Sequence, residues 1–303
     1  MIAKFYLLNH SFRHDGYICL NDLEERIKEF AEDYAFIRQY KETDKLYLHS
    51  SIYDELIYQD MSIADLLYYG KGKNLFDRDT KEFLRRVIET SESQDVTMEE
   101  VIDVLLELHS PDNIFGFYCL HHVDFVERKY LVYNKNDWFA FHRYFLGLYP
   151  ISENHFYAEC QKYFPQLFFH ERVKETLKTL EKGLPGFSKS IVHHLTLLND
   201  EFHKYYDPSN RIDSLKRFSS ACDIDASPQG NAKDKPKMTF EFINDSNVKE
   251  SVCCEPHLKL EKSDDVGDNH YYFNRIYFHE GKENIANGRI LIAHIGGHIK
   301  FDR

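Results

Sequence analysis

The chain has 303 residues, 43% of them hydrophobic and 15% aromatic, with a formal net charge of -12. That length fits two domains, or one large domain with an appendage, and the apolar share is enough for a sizeable core. The acidic balance excludes broad nonspecific binding to nucleic acid and suits docking on a basic partner protein. From Lys233 onward, however, 11 basic residues meet 12 acidic ones, so the last stretch is near neutral. The six cysteines form no CxxC pair and no disulfide-type spacing, no apolar run approaches a membrane span, and the first residues do not read as a signal peptide. The expectation is a cytoplasmic protein with reduced thiols and no membrane partner.

In chain order, Ile2 to Asn9 reads as a strand, followed by a helix to Tyr40 whose Leu23, Ile27 and Phe30 lie at helical spacing. Asn21 and Glu24 fit a capping box at its start. Lys45 to His49 is a second strand, so the chain opens as a mixed α/β unit. No glycine-rich loop follows the first strand, which argues against a phosphate-cradling Rossmann or P-loop site. Helices are expected over Ser62 to Tyr69, over Thr80 to Ser91, and from Thr97, where Thr97 and Glu100 form another capping box. Ile114 to His121 and Lys129 to Tyr133 read as paired strands. The aromatic helix from Asp137 is then followed by helices over Ser152 to Phe164, His170 to Lys182 and Ser188 to Tyr206, which would pack as an antiparallel bundle.

Residues 225–237, rich in Pro, Gly, Ser, Asn and Lys, are the expected linker. They divide a mainly helical, mixed α/β body (1–224) from a small antiparallel β domain (238–303), an α+β architecture overall. Four strand-like runs follow: Met238 to Ile243, a second beginning at Val252, a third ending at His279, and a last one ending at Ile299. Alternation within the second run puts Val252, Cys254 and Leu258 on one face and Cys253, Glu255, His257 and Lys259 on the other. In the third, Phe273, Arg275, Tyr277 and His279 share a face. Pairing the apolar faces would gather His257, Lys259, Arg275, Tyr277 and His279 on one polar face. Imidazoles beside a phenol and two cations can move protons and neutralise a phosphorane-like charge; the same alternation also describes the solvated outer face of an amphipathic sheet. These five residues are the candidate catalytic set.

The runs HLKL, NRIYF and ILIAHIGGHI resemble the C-terminal strands of RelE/ParE-type toxins. The resemblance implies a small antiparallel sheet flanked by helices and, from the RelE and HigB members, cleavage of messenger RNA without a metal. Carried over by motif, Lys259, Arg275 and Tyr277 match, with His279 and His298 as further positions. The stretch also resembles C-terminal modules of bacterial phage-defence proteins. Two expectations follow. The chain is an accessory or interaction subunit of a phage-defence or toxin-type system docking on a larger partner protein, or it is a metal-independent endoribonuclease acting on RNA through its C-terminal sheet.

No cofactor or metal is expected. Cys254-x-x-His257 and His294-x-x-x-His298 have zinc-like spacing. In an extended strand the two histidines lie ~13 Å apart, unless Gly296 and Gly297 fold the chain back. The glycine pair reads instead as a bulge or turn where backbone meets something closely. Cys119 and Cys160 sit among apolar residues and read as buried thiols.

Overall fold

The computed structural model describes residues 1–13, 18–71, 75–228, 232–260 and 273–299. It divides into two compact units, Met1–Phe145 and Leu146–Arg303, whereas the composition shift in the sequence points to 225–237.

Unit 1 contains β1 (Ala3–Leu7), α1 (Leu20–Tyr40), β2 (Lys45–Leu48), β3 (Leu56–Tyr58), β4 (Met61–Ser62), α2 (Arg78–Thr90), β5 (Glu92–Ser93), α3 (Met98–Asp103), β6 (Ile114–Tyr118) and β7 (Leu131–Val132). α4 (Lys135–Leu148) carries the chain across the division. Five strands form one sheet in the order β5-β2-β1-β6-β7, every pair parallel. This is the spatial order of a doubly wound sheet, reached without the glycine-rich first turn. β6 is buried along its whole length, as strands covered on both faces are. Gly116 in its middle is required by packing, because a Cβ there would run into the Phe141 ring.

α1 buries Leu23, Ile27 and Phe30, each such side chain contributing about 1.5–3 kcal/mol. The expected box at its start is not formed. Cys19 precedes the helix without a side-chain cap, and the Glu24 carboxylate accepts instead from the Asp77 N–H. At the second, the Thr97 side chain caps the helix, its Oγ1 accepting from Glu100 N at 3.2 Å.

Unit 2 contains α5 (Glu153–Tyr163), β8 (Leu167–Phe169), α6 (Val173–Thr176), α7 (Ser188–Asp200), α8 (Arg211–Cys222), β9 (Ala226–Ser227), β10 (Thr239–Ile243), β11 (Lys249–Cys253), β12 (His257–Lys259), β13 (Asn274–His279) and β14 (Ile290–Gly297). Its main sheet runs β8-β14-β13-β12-β9, and β10 pairs with β11 in a separate hairpin.

Three expectations change here. The sheet is mixed rather than purely antiparallel, because β14 pairs in parallel with β8. It also draws strands from before residue 238, since β9, inside the expected linker, pairs with β12. Residues 229–231 of that linker lie outside the described residues. Finally, the second strand-like run is split. β11 stays with β10, the chain turns at Cys254–Pro256, and β12 enters the main sheet. Pro256 has no N–H for a ladder, but its carbonyl accepts from Phe278 N at 2.9 Å.

The expected helix from His170 is likewise interrupted. α6 has four residues and passes into a 3-10 turn, Leu177–Thr179, because Thr176 and Thr179 are turned to β14. Among the described residues, no helix is long and apolar enough to cross a membrane.

Candidate functional site

The site grows from the register of β12, β13 and β14. His257 stands opposite Tyr277, and Lys259 opposite Arg275. On the other side of β13, His294 stands opposite Tyr277, and Gly296 opposite Arg275. Side chains directly opposite on neighbouring strands share a face. His257, Tyr277 and His294 therefore form a row across three strands, with Lys259 and Arg275 in the next. The Tyr277 ring centroid lies 5.2 Å from that of His257, 5.4 Å from His294 and 6.5 Å from His298.

The other face of β13 carries Ile276 and Phe278, with Asn274 at its start. Phe278 meets Phe202 edge-on, with ring centroids 5.5 Å apart. The polar row is also inside the protein: Tyr277 is 0% exposed, His257 4%, His294 6% and Arg275 8%. The sheet's polar face is thus not its solvated outside.

β14 is shaped by what meets it past the end of β8. Thr176 Oγ1 donates to the Ile295 carbonyl at 3.0 Å and accepts from Ile295 N at 3.2 Å. Thr179 Oγ1 accepts from Gly297 N at 2.9 Å. A Cβ at Gly296 would collide with the Thr176 carbonyl. The glycine pair is therefore the close approach anticipated from sequence.

Beside it opens a cavity of about 830 Å³, lined by Thr179, Asn274, Arg275, His294 and His298 among others. A half-open cavity holding a few convergent polar groups is the usual form of a small-ligand site.

Burial sets the protonation states. It pushes the His257 and His294 imidazoles down to about 4, with the charges of Arg275 and Lys259 adding to the effect at His257. His298 is lowered by burial and then by Arg275. All three are neutral at pH 7. The Arg275 guanidinium is lowered by burial and the Tyr277 phenol raised by it.

Hydrogen bonds fix two tautomers. His294 Nε2 faces the Gly297 carbonyl at 2.8 Å, so Nε2 carries the proton and Nδ1 is the basic nitrogen. His257 Nδ1 faces the Glu255 carbonyl at 3.3 Å and its Nε2 meets Ser227 Oγ at 3.3 Å. The Tyr277 hydroxyl is sealed from water and has no hydrogen-bond partner of normal geometry.

Of the five residues expected together, His257, Arg275 and Tyr277 gather. Lys259 shares their face, but its ammonium is held by Asp225 at 2.5 Å. His279 is diverted. The ladder shifts between Tyr277 and Phe278, so His279 stands opposite Leu291, accepts from Gly281 N at 3.1 Å, and lies beside Glu280, which pairs with Arg211.

In the sequence, His294 shows only as half of a poor zinc pair, and Asn274, Thr179 and Glu181 do not stand out. The one signal was the Asn heading the NRIYF run. Among the described residues, no three His, Cys, Asp or Glu side chains converge as a metal site would require.

The cluster offers a neutral imidazole whose Nε2 is held by the Gly297 carbonyl, a buried guanidinium and a phenol. Such a set can take up a proton and balance negative charge on a bound group. Comparisons with family models, curated proteins and solved structures found no match for this chain.

Proposed function

We propose that the cavity beside β13 and β14 is the active site of a metal-independent endoribonuclease. One observation carries the reading: Arg275, His294 and His298 line one cavity, and both imidazole rings pack against Tyr277. The His294 Nδ1 accepts the 2′-hydroxyl proton as that oxygen attacks the adjacent phosphorus. The Arg275 guanidinium balances the charge that accumulates on the phosphoryl oxygens. A phosphate in the cavity also draws a proton onto His298, whose lowered pKa reflects burial and the neighbouring Arg275 charge, while His294 stays neutral as the base. His298, protonated in this way, then gives its proton to the departing 5′ oxygen. The products are a 2′,3′-cyclic phosphate and a free 5′-hydroxyl. The resemblance of the HLKL, NRIYF and ILIAHIGGHI runs to RelE-type strands points to the same chemistry.

The test is cleavage of an unstructured RNA in the presence of EDTA, with ends analysed by mass. The expected result is cyclic phosphate ends, an uncut DNA of the same sequence, and a loss of at least about 100-fold in Arg275→Ala and His294→Ala, both still folded by circular dichroism. Equal cutting of DNA, or undiminished activity in both variants, rejects the proposal.

A second reading, an accessory subunit of a phage-defence or toxin-type system docking on a larger basic partner protein, is favoured by unit 1. That unit carries 17 basic and 27 acidic residues and exposes Leu56, Tyr68, Tyr69 and Leu75 along neighbouring segments. It expects co-elution with the product of an adjacent gene, lost when Tyr68 and Tyr69 are changed to Ser. Separate elution of the two proteins counts against it.

A further inference from the structure

Gly297 ends β14 and is held on both sides. Its N–H is donated to Thr179 Oγ1 at 2.9 Å, and its carbonyl accepts from His294 Nε2 at 2.8 Å. The peptide that contains this carbonyl is pinned at its other end, where His298 N donates to the Phe273 carbonyl at 2.6 Å. A donated N–H polarises its own peptide and makes the carbonyl a stronger acceptor. These hydrogen bonds fix a residue that, as glycine, would otherwise turn freely.

Glycine is nonetheless required there. A Cβ at Gly297 would stand 2.7 Å from the Thr179 carbonyl, and one at Gly296 2.2 Å from the Thr176 carbonyl. The turn that carries Thr176 and Thr179 reaches the β14 backbone only because side chains are missing at both positions. The freedom this introduces falls beside His294, and the Thr179 hydroxyl removes it. The single hydroxyl proton goes to the Thr176 carbonyl at 2.6 Å, so towards Gly297 the oxygen can only accept. Thr179 is exposed, so its hydroxyl can be deleted without opening a hole in the core.

The hydrogen bond made at one ring nitrogen of a neutral histidine decides where the proton sits. A Gly297 carbonyl aimed at Nε2 selects the Nε2–H form and leaves Nδ1 unprotonated. If that carbonyl turns away, the proton is free to move to Nδ1, and the base is lost.

We propose that Thr179 is a positioning residue for the base: by holding Gly297 it keeps the His294 proton on Nε2 and leaves Nδ1 to accept. The inference rests on the reading of this cavity, which Thr179, His294 and Gly297 all line, as an RNA-cleaving site. Thr179 acts through Gly297 and not on the RNA, so its loss lowers the rate and not the affinity.

The experiment compares the whole chain with its Thr179→Val and Thr179→Ser variants. Val keeps the shape and deletes the hydroxyl, whereas Ser keeps the hydroxyl. The expected result is a fall in kcat for RNA cleavage of about tenfold or more in T179V, with KM unchanged, and restoration in T179S. Long-range proton–nitrogen NMR spectra at neutral pH should show His294 protonated at Nε2 in the parent and in T179S, and a mixture of tautomers in T179V. Parent rate and parent spectrum in T179V overturn the proposal, as does a T179S as slow as T179V. A rise in KM with kcat unchanged makes Thr179 a ligand contact and overturns it too. RNA left uncut by the parent chain removes the cleavage reading, and the spectra then decide the hold of Thr179 on His294 by themselves. If T179V does not fold, Thr179→Ala is read in the same way, and a His294 proton on Nδ1 in the parent overturns the proposal in any case.

Discussion

Each unit buries a cluster of ionisable and aromatic side chains, and the two are finished differently. In unit 1 the centre is Asp44, whose side chain is 3% exposed. Oδ1 accepts from Ala3 N at 3.2 Å and meets Lys41 Nζ at 3.1 Å; Oδ2 accepts from Trp138 Nε1 at 2.9 Å and from His142 Nε2 at 2.7 Å. Burial alone would raise this carboxyl. His142 and then Lys41 outweigh it and hold the group at about 2. Four donors on one carboxylate leave nothing for a ligand, so the cluster is a fastening between β1, β2 and α4. In unit 2 the cluster around Tyr277 has its imidazoles driven neutral, and the Tyr277 hydroxyl lacks a hydrogen-bond partner of normal geometry. Burial and a shifted pKa are common to both clusters. What differs is the group at the centre: the Asp44 carboxylate has its oxygens filled, whereas the Tyr277 hydroxyl has no partner of normal geometry.

The contrast is most sharply tested at Asp44. Asp44→Asn leaves Lys41 and His142 without their counter-charge, and removing one partner of a buried pair costs about 3–5 kcal/mol. Urea unfolding should show that loss, and a change below about 1 kcal/mol would remove the fastening role. The same group sets an acid limb. Its folded pKa is about 2, below the unfolded value near 3.9. The stability it contributes is therefore present above about pH 4 and is lost as pH falls towards 2. The limb should be missing in the Asn variant.

The imidazoles of unit 2 give a smaller effect at higher pH. His257 binds its proton near 4 when folded and near 6.5 when unfolded. Between those values the unfolded chain holds more protons, so stability falls as pH drops from about 6.5 to 4. His257→Gln should flatten that slope by up to about 3 kcal/mol, read as the midpoint of thermal melts across the range. An unaltered slope would mean that His257 is protonated inside the fold.

The smallest expected change has the opposite sign from ordinary core damage. Tyr277→Phe removes a buried hydroxyl without a hydrogen-bond partner of normal geometry, and should leave stability unchanged or raise it by about 1 kcal/mol. A clear destabilisation in chemical unfolding would show that the hydroxyl is satisfied after all.

Much of the fold was visible locally. Period-two alternation placed His257, Arg275 and Tyr277 on one face, and the structure gathers them. Side-chain direction in a strand is a local property, and so is a helix cap such as Thr97. Pairing between distant segments is not local. β1 pairs with β6 across more than a hundred residues, and nothing in either strand specifies a parallel neighbour. Lys259 is taken by Asp225, thirty-four positions away, which alternation cannot reveal. His279 left the set because one irregularity in the ladder follows Tyr277. His294 was set aside because its distance from His298 was weighed only for a metal, whereas its place is fixed by Tyr277 on the neighbouring strand.

The mixed sheet of unit 2 also has a consequence in time. β14 lies between β8 and β13, so it is the hinge of the ladder's order and the last described strand to be made. β8 therefore waits for a partner that emerges some 120 residues later, while the parallel sheet of unit 1 has all its strands by Val132. During synthesis the first unit can close early, domain by domain, and the second must hold β8 unpaired and one edge of β13 open until the chain has passed Gly297. Ribosome-stalled chains ending near residue 285 should accordingly protect unit 1 from protease and leave unit 2 open to it.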